Sequence, residues 1–258
     1  MAATVALGAL AGCGSVGDGA KGNGKADSSK PPAVGTSEEG SGSRSGARAA
    51  RLIQKAIDVT LDQDYLTSTQ RTKSEGTTVQ HSAVRGARTE CEMRIRKGNK
   101  SLDFFETASS LYTRGSKEAL MMSDKAKNDP VRVRVMADRW VERNAEVYKV
   151  MRDMCASKTR RTWLKKRMPS LDELTEANPT QRSAVVQGQR VTKITYAREG
   201  GPLEFHIARE GTPFLLRVTY PAKDLDESFS DFGKPFRVTA PRGAVTDYEI
   251  AEEVLGAQ

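Results

Sequence analysis

The sequence predicts an α+β domain built around antiparallel sheet. Short extended segments separated by charged or glycine-containing turns occupy residues 65–113 and again residues 184–219, and such tight turns are typical of antiparallel hairpins. Apolar residues at helical spacing precede the first group and fill the stretch between the two groups. Because most strands follow one another through tight turns, a parallel α/β architecture is disfavoured.

A helix from residue 49 to residue 61 opens the predicted domain, because apolar residues recur there on one side. Five extended segments follow it, at residues 65–72, 77–84, 91–96, 102–106 and 111–113. In the third segment Cys91, Met93 and Ile95 alternate with charged residues, which indicates one buried and one solvated face.

The middle of the chain is predicted to be mainly helical. Residues 117–127 form one helical segment that Pro130 ends, and Asn144 has the side chain of an N-cap for a helix that runs to residue 155. Residues 131–135 alternate valine with arginine, a pattern that fits a strand or part of a helix. After a helical stretch at 164–174, the second meander has four segments, at residues 184–186, 189–196, 203–208 and 214–219.

Composition limits the classes of protein. Lysine and arginine outnumber aspartate and glutamate by 41 to 33 in 258 residues, for a net charge of +8. Because both signs are spread along the chain, an acidic partner is compatible with this surface but not required by it. The absence of any run of eighteen apolar residues excludes a polytopic membrane protein.

Residues 1–12 are predicted to be the end of a lipoprotein signal peptide. They are small and apolar without a charge, and Leu10-Ala11-Gly12-Cys13 matches the bacterial lipobox, in which the cysteine thiol receives diacylglycerol. Because Met1 is followed at once by the apolar core instead of a positively charged region, we expect the translation start to lie upstream. Cys13 is therefore the predicted lipidation site, and the chain is expected to be lipid-anchored on the extracytoplasmic face of the cell membrane.

Residues 13–47 are predicted to be a flexible linker behind this anchor. Residues 14–46 contain nine glycines and seven serines but no leucine, isoleucine, methionine or aromatic residue, so they cannot bury enough apolar surface to offset the entropy of ordering. The folded domain is expected to cover residues 48–248, and residues 249–258 are expected to form a C-terminal tail.

Three blocks of sequence resemble one family of lipoproteins. They are ECEMRI with LYTR (residues 90–95 and 111–114), DRWV with MC (138–141 and 154–155), and FSDFGKPFRVTAP (229–241). On these blocks the chain resembles the actinobacterial lipoproteins of the LppX/LprG-like lipid-carrier group. The resemblance implies a strongly curved antiparallel sheet, a half-barrel like that of LolA and LolB, with helices packed on its concave face.

Cysteine usage agrees with export. If Cys13 carries lipid, Cys91 on a strand and Cys155 on a helix remain as an even pair in an oxidising compartment. The sequence therefore predicts a Cys91–Cys155 disulfide, with a pair of buried free thiols as the alternative.

The sequence offers no catalytic constellation. His81 and His206 lie in predicted strands without a second histidine or a cysteine at metal-ligand spacing, and no Gly-x-Ser-x-Gly elbow exists. We therefore expect no catalytic residue, no metal site, no cofactor and no enzyme activity.

Residues 158–167 place six cations around Trp163 and Leu164. This composition favours contact with anionic lipid headgroups, and the residues nominated for it are Arg160, Arg161, Trp163, Lys165 and Lys166. The alternative is a solvated helix face whose Trp163 packs inward. Nucleic acid is not an expected partner, since an exported, anchored protein rarely meets it.

The predicted function is binding or carriage of an acylated lipid, a glycolipid or another apolar ligand between sheet and helices. Strand alternation and two methionines on a covering helix nominate the cavity lining as Phe104, Met121, Met122, Phe205, Ile207, Phe214 and Leu216. The alternative is a tethered cell-envelope interaction or structural module that has the same fold, a filled core and no ligand. A carrier needs a continuous apolar cavity and a module packs densely, so interior volume separates the two.

Overall fold

The computed structural model of this protein describes residues 39–73, 78–85, 90–122, 128–151 and 157–257. Within these ranges twelve strands form one sheet. In chain order they are β1 (Tyr65–Thr72), β2 (Thr78–Arg85), β3 (Glu90–Lys97), β4 (Lys100–Glu106), β5 (Leu111–Gly115), β6 (Val141–Glu142), β7 (Thr180–Val186), β8 (Gln189–Tyr196), β9 (Leu203–Ala208), β10 (Leu215–Tyr220), β11 (Leu225–Ser230) and β12 (Val245–Thr246). The helices of the same ranges are α1 (Glu39–Leu61), α2 (Lys117–Leu120), α3 (Pro130–Met136), α4 (Ala145–Met151), α5 (Ser157–Arg167), α6 (Leu171–Glu176) and α7 (Asp247–Gly256).

Two meanders meet at the middle of the sheet. The spatial order is β12-β6-β5-β4-β3-β2-β1-β11-β10-β9-β8-β7, and β1 pairs with β11. Every pairing is antiparallel apart from that of β12 with β6. The sheet is curved and does not close. The predicted fold class, an antiparallel half-barrel with helices on its concave face, is confirmed.

Helix α1 forms the main core with the concave face of the sheet. Its buried side chains include Ile53 and Ala56, both fully inaccessible, and they belong to one cluster with inward residues of the strands. The helix is also tied to the sheet by a buried hydrogen bond, in which the Leu215 backbone N–H donates to Thr60 Oγ1 at 2.8 Å. Helix α1 therefore positions the inner face of β9 and β10.

Part of the predicted linker is helical, because α1 begins at Glu39 and not near residue 49. Gly46 explains why a glycine-rich stretch continues the helix. A Cβ atom at this position would lie 2.2 Å from the Thr175 carbonyl oxygen and 2.5 Å from that of Ala177. Only glycine allows α1 to approach the end of α6 this closely, so here glycine serves packing and not flexibility.

The C-terminal tail is also a correction, since residues 247–256 form helix α7. Thr246 and Glu249 close a capping box at its start. Ile250 and Val254 are buried against Met136 of α3 in a second, smaller core. The helix therefore belongs to the folded domain. No helix in the described part of the chain has the length and apolarity to cross a membrane.

Candidate functional site

The concave face of the sheet is polar at its centre. Two rows run across β11, β1 and β2, and the register aligns them as Phe229, Ser68 and Ser82, and as Glu227, Gln70 and Gln80. On the next two strands the same rows continue with Met93 opposite Phe104 and with Ile95 opposite Leu102. The side chains of Ser68, Gln70 and Glu227 therefore form a polar strip beside the buried Phe229, and the apolar residues on its two flanks belong to one main core.

Arg160 of α5 reaches into this polar strip. Its Nη1 donates a hydrogen bond to Ser68 Oγ at 2.5 Å and lies 3.9 Å from Glu227 Oε1. The side chains of Arg160 and Glu227 are only 10% and 4% exposed. The structure thus holds an oppositely charged pair between helix and sheet, on the surface where a carrier would place an acyl chain.

Burial raises the pKa of Glu227, and the charge of Arg160, a hydrogen bond with Ser68 and the charge of Arg167 oppose that rise. Burial likewise lowers the pKa of Arg160. Among the described residues, Glu227 Oε2 is a buried oxygen that accepts no hydrogen bond. Such a pair persists because each charge compensates the desolvation of the other, and loss of either partner leaves an uncompensated buried charge.

The flank formed by β8 to β11 is densely packed. Phe205 and Ile207 are 0% and 1% exposed and lie in the core that α1 covers. The Phe205 ring meets the Tyr196 ring edge to face, with centroids 6.4 Å apart. These two residues of the predicted lining therefore contact other core side chains.

A bulge in β10 changes the predicted alternation. Leu215 lies opposite Ile207, whereas Arg217 lies opposite His206, so Leu216 is the extra residue of the bulge. An inserted residue of this kind resets which side chains of a strand face the core.

Leu215 and Val218 consequently occupy the main core, in the place predicted for Phe214 and Leu216. Leu216 is buried but lies outside that cluster. Phe214 is half-buried at the end of β10 and stacks on Phe232, with centroids 4.1 Å apart and rings inclined by 2°.

The flank formed by β3 to β5 is less tightly covered. Phe104 is 9% exposed and belongs to the main core, while Leu102 beside it is half-buried. The two predicted covering methionines lie in the turn that follows α2. Met121 is half-buried and Met122 is 54% exposed.

Helix α5 turns its first arginines toward the protein, which corrects the prediction that Arg160 and Arg161 face a membrane. Arg161 pairs with Asp58, and its Nη2 lies 2.7 Å from Asp62 Oδ1. Trp163 is half-buried against the main core. Lys165 and Lys166 remain exposed.

A cavity of about 480 Å³ lies at the rim of the half-barrel, beside the ends of β8, β10 and β11. Its wall contains the stacked rings of Phe214 and Phe232 together with Ala208. The other seven lining residues carry hydrogen-bonding side chains, and they are Gln187, Gln189, Glu210, Thr212, Ser230, Asp231 and Lys234. Of the predicted lining residues, Phe214 borders this cavity.

Asp231 is held by two neighbouring side chains. Lys234 Nζ lies 2.9 Å from its Oδ1, and Ser230 Oγ donates to its Oδ2 at 3.2 Å. The hydrogen bond from Lys234 lowers the pKa of Asp231, with smaller contributions from Thr67 and Ser230. Asp231 also has a positive φ of 55°, a left-handed conformation that aspartate adopts more readily than most non-glycine residues.

His206 belongs to a charged group on the opposite face from Phe205 and Ile207, as its register partners indicate. Its Nε2 lies 3.5 Å from Glu204 Oε2, and Lys193 Nζ lies 2.6 Å from Glu204 Oε1. Burial lowers the pKa of His206, and the neighbouring Lys193 lowers it further. No group of three histidine, cysteine or acidic side chains suited to a metal occurs among the residues that the structure describes.

Several predicted sites fall outside the described residues. Cys13 and Cys155 are among them, and so is the side chain of His81. Cys91 is fully buried on the inner face of β3, opposite Glu106 of β4. Lipidation and the Cys91–Cys155 disulfide therefore stay predictions.

Sequence reasoning missed the charged pair, although both partners carry a signal. Glu227 lies two residues from each of Leu225 and Phe229, which are buried, so strand periodicity places its carboxylate on the same inner face. Arg160 precedes the buried Leu164 by four residues on α5, and residues four apart share one helix face.

The fold is that of a half-barrel α+β protein, and solved structures are similar to it. LprF from Mycobacterium bovis is 13% identical, with a TM-score of 0.42 over 76% of this chain and 98% of that chain. A conserved protein from Thermus thermophilus is 9% identical, with a TM-score of 0.34 over 77% of this chain and 98% of that one. The Pseudomonas aeruginosa MucA/MucB complex contains a chain that is 12% identical, with a TM-score of 0.33 over 79% of this chain and 60% of that chain.

No protein-family model matches the chain, and neither does any curated protein.

Proposed function

We propose that this chain is a non-enzymatic, membrane-tethered extracytoplasmic module that binds a component of the cell envelope at its surface. The observation that carries this proposal is the occupancy of the concave face. Phe205 and Ile207 pack into the core beneath α1, and Arg160 and Glu227 occupy the centre of the same face. An acyl chain laid along β8 to β11 would have to displace close-packed side chains and contact a buried ion pair, and both cost free energy.

Tethering is the part of the proposal that depends on Cys13. Diacylglycerol on this cysteine, followed by the predicted linker, would hold the domain near the membrane surface. Cys13→Ala, made with the upstream start restored, is expected to abolish incorporation of labelled lipid and to deplete the membrane fraction. Wild-type protein with residues 1–12 intact and no acyl group would overturn the tethering.

Carriage of an acylated ligand is a second candidate function, because the flank formed by β3 to β5 is less tightly covered. Leu102 and Met121 are half-buried there and Met122 is 54% exposed, so apolar surface is available beside Phe104. Methionines adapt readily to ligands of varied shape.

Titration of delipidated protein with a displaceable fluorescent fatty acid separates the two candidates. The module is expected to give no saturable binding, whereas a carrier binds saturably. Two variants add the same volume on different flanks of the inner face. Phe205→Trp adds it to the packed flank formed by β8 to β11, and Phe104→Trp adds it to the less covered flank formed by β3 to β5. The module predicts a loss of about 1–3 kcal/mol for Phe205→Trp through overpacking. Saturable binding that Phe104→Trp abolishes at an unchanged melting temperature would overturn the module and establish the carrier.

A further inference from the structure

The rim cavity has the composition of a site for a polyhydroxylated ligand. Its volume of about 480 Å³ falls within the range of small-molecule pockets, roughly 300–1,000 Å³. An acyl site would need a mainly apolar wall, but seven of the ten lining residues carry hydrogen-bonding side chains. Hydrogen-bond acceptors and donors both occur, since carboxylates only accept, an ammonium only donates, and amides and hydroxyls do both.

The apolar part of the wall is a stacked aromatic pair. Phe214 and Phe232 lie nearly parallel, with centroids 4.1 Å apart. Because each ring covers one face of the other, the pair offers the cavity apolar carbon surface against which the C–H groups of a sugar ring can pack. A pyranose presents such C–H groups on its faces and hydroxyls around its edge, so it matches a wall that combines aromatic rings with amides, carboxylates and hydroxyls.

The charges of the cavity argue for a neutral sugar. Two carboxylates, those of Glu210 and Asp231, line the cavity with one ammonium, that of Lys234. Lys234 already pairs with Asp231 at 2.9 Å, and Glu210 lies 3.9 Å from Arg190. An anionic sugar would bring a third negative charge beside two carboxylates whose cations are already engaged, and that repulsion disfavours it.

We propose that the rim cavity between the ends of β8, β10 and β11 binds a neutral carbohydrate, the envelope component that the proposed function requires. This inference rests on the proposed function, and it names the ligand class and the site. The stacked pair of Phe214 and Phe232 supplies the apolar wall. The carboxylate of Asp231, held in place by Ser230 and Lys234, accepts hydrogen bonds from sugar hydroxyls.

The test uses the purified full chain and calorimetric titration with three probes. Cellotetraose and chitotetraose are neutral probes, and a hyaluronan tetrasaccharide is their anionic counterpart. Saturable binding of at least one neutral probe, with the anionic probe at least tenfold weaker, is expected. Absence of binding by both neutral probes, or preference for the anionic one, overturns the carbohydrate assignment.

Variants then locate the site. Phe232→Ala is expected to weaken the neutral probe by about tenfold through loss of the aromatic wall. Because Phe232 also packs against the main core, the exposed Gln189→Ala is the second variant, with an expected loss of about threefold from one hydrogen bond. Glu199→Gln, an exposed residue outside the cavity lining, is the matched control and is expected to bind as wild type. Unchanged affinity in both cavity variants overturns the location.

Failure of this inference is distinguishable from failure of the proposed function. If the neutral probes do not bind and the fatty acid does not bind either, the ligand class is wrong while the filled inner face stands. If the fatty acid binds saturably and Gln189→Ala weakens it, the cavity is the mouth of a lipid site and both proposals fall.

Discussion

Replacing Arg160 by methionine tests the buried ion pair most directly. Methionine keeps an unbranched apolar stem of similar reach and removes the charge. Glu227 would then remain in the core, 4% exposed, without the cation that lies 3.9 Å from its Oε1. A unit pair at about 4 Å interacts by about 4 kcal/mol at an effective dielectric constant of about 20.

We therefore expect Arg160→Met to lower the free energy of unfolding by about 3–5 kcal/mol at neutral pH, the usual cost of breaking a buried pair. Urea denaturation followed by circular dichroism measures it. Lys166→Met on the exposed side of the same helix is the matched control, with a change expected within about 0.5 kcal/mol.

A second substitution identifies the cause of the loss. Glu227→Gln in the Arg160→Met background removes the uncompensated charge while keeping the shape of the side chain. We expect it to restore all but about 1 kcal/mol, the contribution of a typical lost hydrogen bond.

The pH dependence has a defined sign. Loss of Arg160 raises the pKa of Glu227 further, because burial already raises it and the cation opposes that rise. A carboxyl whose pKa is higher in the folded state contributes its stability below the unfolded value and loses it as the pH rises through the folded value. The deficit of Arg160→Met should therefore be smallest below pH 4.5, the ordinary glutamate value, and grow above it. A deficit under about 1 kcal/mol at pH 7, or no rescue by Glu227→Gln, would refute the reasoning.

Three further predictions address other parts of the fold. Gly46→Ala should lower the free energy of unfolding, measured by urea denaturation, by about 1–3 kcal/mol, because the added methyl group meets backbone oxygens at the end of α6. Gly256→Ala is the control and should be nearly neutral, because nothing lies within 4 Å of the added methyl group. Equal effects of the two substitutions would contradict the close approach of α1 to α6. Burial lowers the pKa of His206, so NMR titration should give a pKa below the ordinary histidine value of 6.5. The free energy of unfolding of the wild type should therefore fall as the pH drops below 6.5, because the unfolded chain binds the proton more readily. The fall should be smaller in His206→Gln. Non-reducing peptide mapping should recover Cys91 and Cys155 in one cross-linked peptide, and free alkylation of both thiols in native protein would exclude the bond.

Local periodicity predicted most of the sheet. Each stretch of sequence between β1 and β4 contains a glycine, whereas residues 107–110 before β5 contain neither a glycine nor a charge. Alternation within the strands follows from one wet and one buried face. Strand β8 was predicted with the observed bounds, 189–196, and β9 with the bounds 203–208. The middle of the chain was less determined, since residues 131–135 fitted a strand or a helix and belong to helix α3 in the structure. There Asp129 caps the helix through the backbone N–H of Arg132, a contact that valine alternation does not reveal.

Packing between distant segments overrode composition at both ends of the domain. The glycine-rich residues before position 48 have the composition of a linker, but Gly46 lets α1 approach α6. Residues 249–258, which include Glu252 and Glu253, are predicted to form a tail. Ile250 and Val254 suffice to bury helix α7 against Met136, a neighbour more than a hundred residues away in the sequence.

The sequence by itself determined the fold class, because hydrophobic periodicity is local and the residues of each strand and turn favour that conformation without distant contacts. It also determined which residues of β9 face the core, since alternation holds wherever no residue is inserted. Only the tertiary structure decided that Leu216 occupies a bulge, that Arg160 turns inward to Glu227, and that Phe214 leaves the core to stack on Phe232. Each of these features depends on which group from a distant part of the chain contacts the residue. The free energy of burial depends on the surface formed by the folded chain, and a single segment of sequence does not contain that surface.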